Sequence, residues 1–153
     1  MATIQGNPLS EHEIRTLRCV AGMMIPASTT YDVPGADDDA IFADILRSLG
    51  RDAPQVQAAL AQLDSLAGGT FADLPAKTRT QVAARFQDAG GTPLTFLNRA
   101  ILQCYYRDDR VMRALGMEPR PPFPKGHAVE QGDWSMLEPV RARSSKIWRD
   151  APR

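Results

Sequence analysis

Apolar residues recur three and four positions apart along most of the chain up to about residue 116, and glycine or proline interrupts them between segments. That spacing lines one face of a helix. No stretch alternates apolar with polar residues long enough to suggest a strand. The chain therefore has one broad solution, a set of short amphipathic helices packed face to face.

The punctuation sets the elements. Ser10 and Glu13 form a capping-box pattern ahead of Ile14, Leu17, Val20 or Ala21, and Met24, and Pro26 stops the run. A first helix is expected at about residues 11–25. After the turn-forming stretch "ASTTYDVPGADD", Asp37 or Asp38 caps a second helix carrying Ile41, Phe42, Ile45, Leu46 and Leu49, with Gly50 at its end. Asp52 and Pro54 open a third, with Val56, Leu60, Leu63 and Leu66 as its stripe and Gly68-Gly69 as its stop. A fourth is expected at about 75–88, with Val82 and Phe86 inward and Phe71 and Leu74 pinning its entrance. Thr92-Pro93 begins a fifth, whose set Leu94, Leu97, Ile101, Leu102 and Tyr105 is the most hydrophobic run and is expected to be central and most buried. Asp108 caps a short sixth with Val111, Met112 and Leu115, closed by Gly116. The expected fold is all-α, a compact bundle of about six helices over residues 1–116.

From Met117 the pattern changes. Pro119, Pro121, Pro122, Pro124 and Pro139 forbid a long helix. The segment nevertheless carries both tryptophans, Trp134 and Trp148, with Met136, Leu137 and Ile147. Such residues need a surface to bury against. Residues 117–153 are therefore expected to form a long, extended, proline-containing arm packed on the bundle, on a partner, or on both.

Composition removes some function classes. Eighteen basic and eighteen acidic residues give a formal net charge of zero, which argues against an electrostatic grip on nucleic acid or anionic membrane. No window approaches the apolar length of a membrane span. The opening "MATIQGNPLS" has neither a signal-length apolar core nor a twin arginine, so a soluble cytoplasmic chain is expected, exported only if a partner carries it. Cys19 and Cys104 read as buried thiols inside helices. Two cysteines and two histidines so widely spaced do not make a structural zinc site.

Catalytic patterns are sparse. His12 sits where exposed polar residues are ordinary. The triplet Asp37, Asp38 and Asp39 suits a helix start better than a hard-cation site. His127 reads as a hydrogen-bonding anchor for the arm. A rival reading makes the chain a small enzyme pairing His127 with Glu130 or Asp133. Another takes Pro121 and Pro124 as a polyproline ligand of an adaptor. The pair Tyr105-Tyr106 points in directions about 100° apart, so at most one ring faces the deepest core. Arg107, Asp108, Asp109 and Arg110 follow. They read either as a solvated, salt-linked boundary or as the polar rim of an aromatic anchor.

The succession "TLRCVAGMMIPAS", "VPGADD", "LNRAILQCYYRDDRVMRALG" and "RPPFPKGH" resembles the gluconate 2-dehydrogenase subunit 3 family. These small helical subunits accompany FAD-dependent oxidoreductases of the glucose-methanol-choline type. The resemblance spans most of residues 14–127 and rests on the order of short motifs. It implies an accessory subunit that binds, stabilises or helps mature a large flavoprotein acting on a sugar, glycoside or alcohol. The flavin and the catalytic histidines would belong to the large subunit, with FAD in the partner, and no catalytic, cofactor-binding or metal-binding residue is expected in this chain. The partner interface expected on this basis comprises Tyr105, Tyr106, Arg110, Pro121, Pro122, Phe123, Pro124, His127, Trp134 and Trp148. The chain departs from the family pattern in lacking the twin-arginine signal and the glycine-rich loop that many members carry after the paired-aromatic helix.

Overall fold

A computed structural model describes residues 8–121, 123, 125, 126, 128 and 130–142. It divides into two units, Met1–Pro119 and Arg120–Arg153, three residues beyond the boundary read from the sequence. Among the described residues there are seven α-helices and no strand, only an isolated antiparallel bridge between Ser28 and Val33.

The first unit holds six helices: α1 (Glu11–Met24), α2 (Asp39–Ser48), α3 (Ala53–Ala67), α4 (Ala76–Ala89), α5 (Thr92–Tyr105) and α6 (Asp109–Ala114). Their starts follow the sequence signals. The Ser10 side chain accepts from the Glu13 N–H, while Glu13 Oε2 accepts from the Ser10 N–H at 2.7 Å. Asp38 accepts from the N–H groups of Ala40 and Ile41 at the head of α2. Asp108 does the same for Arg110 at the head of α6. These bonds satisfy donors that a helix start otherwise leaves orphaned.

Helices α3, α4 and α6 stop at glycines. Gly116, at φ +75°, closes α6 with its own N–H on the Arg113 carbonyl and the Met117 N–H on that of Met112. That paired return is a Schellman end, and only glycine adopts the left-handed backbone without strain.

The core draws on every helix of this unit. Leu17, Ile45, Val56, Leu60, Leu63, Phe71, Leu97 and Ile101 are essentially inaccessible. Each such side chain contributes about 1.5–3 kcal/mol relative to exposure. The central helix is α3 rather than α5. It packs against α1, α4 and α5, and buries Ala53, Val56, Ala59, Leu60 and Leu63. Helix α5, expected to be the most buried, leaves Leu94 and Leu102 only partly covered. The small residues Ala53 and Ala59 add to the buried face of α3. Leu115, expected on the inner face of α6, is instead exposed beyond the helix end.

Polar contacts fasten the periphery. His12 Nε2 lies 2.7 Å from Asp64 Oδ2, joining α1 to α3. The other Asp64 oxygen accepts from the Phe71 N–H at 2.8 Å, fixing the 3-10 turn Phe71–Asp73 that seats the buried Phe71 ring. His12 is thus a structural tie. Cys104 is buried and free, and burial pushes its thiol pKa up. Cys19 is also free but only half-buried, contrary to the expectation of two core thiols.

The second unit contains a 3-10 turn at Trp134–Leu137 that runs into α7 (Glu138–Arg141). The Asp133 carboxylate caps it, accepting from the Ser135 N–H at 3.0 Å and from its hydroxyl at 2.6 Å. Pro139 sits in the first turn of α7, where its missing N–H costs nothing. The segment is therefore not extended throughout.

Candidate partner interface

Helix α5 ends in the two tyrosines, and the helical rotation separates them. Tyr105 is 5 % exposed and belongs to the core, and burial raises its phenol pKa. Tyr106 is 54 % exposed. The rings meet edge to face with centroids 5.2 Å apart. Tyr105 offers almost no surface to a partner. It props Tyr106, whose ring stands in solvent.

The charged residues that follow form a network. Arg107 reaches α2, donating to Asp44 Oδ2 at 2.6 Å and to the Ser48 hydroxyl at 2.8 Å. Arg110 donates to Asp38 Oδ1 at 2.7 Å and to Asp108 Oδ2 at 3.0 Å. Those two carboxylates are the caps of α2 and α6, so one guanidinium links two helix starts. Hydrogen bonds from Arg110 hold both carboxyls below the usual carboxylate range, against a smaller upward push from burial. The same pairs push the Arg110 pKa up. For Asp44, burial pushes upward, but the bonds and charges of Arg107 and Arg47 together outweigh it and the net shift is down.

Arg110 also borders a shallow depression of about 680 Å³, together with Arg113 and a loop that includes Tyr31 and Pro34. The loop is closed at its base by two backbone bonds, Ser28 N–H to the Val33 carbonyl at 3.0 Å and Val33 N–H to that of Ser28 at 3.1 Å. Asp32 adopts φ +51°, a left-handed turn that aspartate tolerates better than most residues. Tyr31, at the tip, is 73 % exposed. Sequence reading did not single out Tyr31. Its signal was a lone aromatic in a stretch of turn formers, with no helix of its own to bury it.

Of the expected interface residues, Tyr106 and Arg110 lie near each other at the α5–α6 junction. Pro121, Phe123 and Trp134 belong to the second unit and are exposed, Phe123 at 85 %. Pro122, Pro124, His127 and Trp148 lie outside the described residues. Asp133, one acid suggested for His127, already spends its carboxylate on capping. No helix among the described residues is long and apolar enough to cross a membrane, and no group of three or more His, Cys, Asp or Glu among them is placed to hold a metal ion. Compared with known protein families, curated proteins and solved structures, the chain has no match. Chemically, the arrangement suits docking: a propped aromatic, a rigid arginine pair and a pinned aromatic loop.

Proposed function

We propose that the chain is the non-catalytic small subunit of an FAD-dependent oxidoreductase of the glucose-methanol-choline type, which it binds and stabilises or helps mature. FAD and the catalytic groups belong to the large partner in this reading. One observation carries it: large apolar side chains stand in solvent in both units, namely Tyr31 and Tyr106 in the first, and Phe123, Trp134 and Met136 in the second. Clusters of such residues mark interaction surfaces. Aromatic anchors beside arginines are the side chains that most often dominate interface energy. The motif order described above supplies the partner's class.

Co-expression with a large flavoprotein subunit of the glucose-methanol-choline type from the same source tests the proposal. The two chains should elute together from a sizing column as a yellow complex, and Tyr106→Ala should weaken the complex by about 2 kcal/mol or more. Separate elution of the unaltered chains overturns the reading.

A further inference from the structure

A second hollow, a cleft of about 340 Å³, is lined by residues of α1, α3, α4 and α5. Its floor is the core itself: Leu63, Phe71, Phe86 and Leu97 line it and are each at most 4 % exposed. We propose that it is a binding site for a small neutral amphiphile, an apolar body with one hydroxyl at its end. This inference stands independently of the subunit reading.

Size and enclosure are the first reason. Interiors pack so closely that voids larger than a water molecule are few. Small-molecule sites commonly hold roughly 300–1,000 Å³, are mostly apolar, and lie between the helices of bundles. An apolar cavity of about 150 Å³ already holds benzene, so this cleft has room for a body of about eight carbons. Ala83 and Ala84 contribute only methyl groups to its lining, leaving space that a longer apolar side chain would fill. Met23 and Met24, from α1, are unbranched thioether chains that adjust to the shape of a guest.

The chemistry of the lining is the second reason. None of the described residues that line the cleft is charged. An ion entering it would shed water without meeting a counter-charge, which costs far more than burying a neutral group. The polar lining residues are Thr80, Gln87 and Asn98. The Thr80 hydroxyl is spent on the Ala76 carbonyl, at 3.1 Å. The side-chain amides of Gln87 and the half-buried Asn98, on α4 and α5, make no hydrogen bond to another described residue. Each amide both donates and accepts, which suits a hydroxyl, itself a donor and an acceptor.

The test titrates the full chain with 1-octanol by calorimetry, against octanoate and 1-butanol. A single saturable site is expected for octanol, with octanoate at least about tenfold weaker because it is charged. Butanol buries four fewer methylenes and should also be at least about tenfold weaker. Ala83→Leu should fill the cleft and weaken octanol about tenfold. If that variant does not fold, Ala84→Leu, at an exposed position, takes its place with the same expectation. Removing both amides, Gln87→Ala with Asn98→Ala, should weaken octanol severalfold. Octanol that does not saturate, octanoate or butanol that binds as well, or an octanol affinity untouched by the leucine or the amide variant overturns the proposal.

Discussion

Arg110 joins the caps of two helices through one side chain, and its removal should blunt the loss of stability in acid. Asp38 and Asp108 have folded pKa values below the ordinary 3.8. A depressed carboxyl pKa stabilises the fold fully above the unfolded value, and that stabilisation is lost as pH falls through the lower folded value. Arg110→Ala should therefore lower stability at neutral pH by about 1 kcal/mol, a modest figure because Arg110 is 44 % exposed and solvent screens its pairs. The difference between parent and variant should shrink below about pH 4, as both carboxyls protonate. Urea unfolding at pH 7 and at pH 3 measures it, and an equal difference at both values would refute the assignment.

Among the elements, α3 is the one on which the bundle turns. Leu60→Ala there should cost about 2–5 kcal/mol, with the range set by how far the cavity collapses. Leu115→Ala, beyond the end of α6, should change stability by less than about 0.5 kcal/mol. Thermal unfolding of the two variants separates a core position from one that only looks apolar in the sequence. Helix starts and stops were legible because Ser10, Asp38, Asp108 and Gly116 act through local backbone bonds. The centrality of α3 was not, since part of its buried face is Ala53 and Ala59, and a hydrophobicity count ranks Leu94 and Leu102 above them. The same limit applies at the candidate interface. The split between Tyr105 and Tyr106 follows from helical rotation, but the sequence did not say which ring turns inward. The Arg110–Asp38 pair spans 72 positions and has no local signature.

At the scale of the molecule, the two units are expected to have separable roles. A chain ending at Pro119 keeps α1 to α6 and should retain most of the far-ultraviolet helical signal of the parent. The same truncation removes Phe123, Trp134 and Met136 and should abolish assembly with the proposed flavoprotein partner. Full assembly by the truncated chain would show the C-terminal segment to be dispensable. The apolar side chains of that segment were legible from composition, whereas its 3-10 turn was passed over because the prolines were read as excluding a long helix, although Asp133 caps the turn locally on Ser135.

The closed loop beneath Tyr31 has a kinetic consequence. Two backbone bonds hold the base of the loop, so its backbone has little freedom left to lose if a partner docks on Tyr31. Affinity gained this way is expressed as residence time, because mutations within one interface change dissociation far more than encounter. Loosening the loop at Ser28 or Val33 would leave the partner arriving as often and departing sooner.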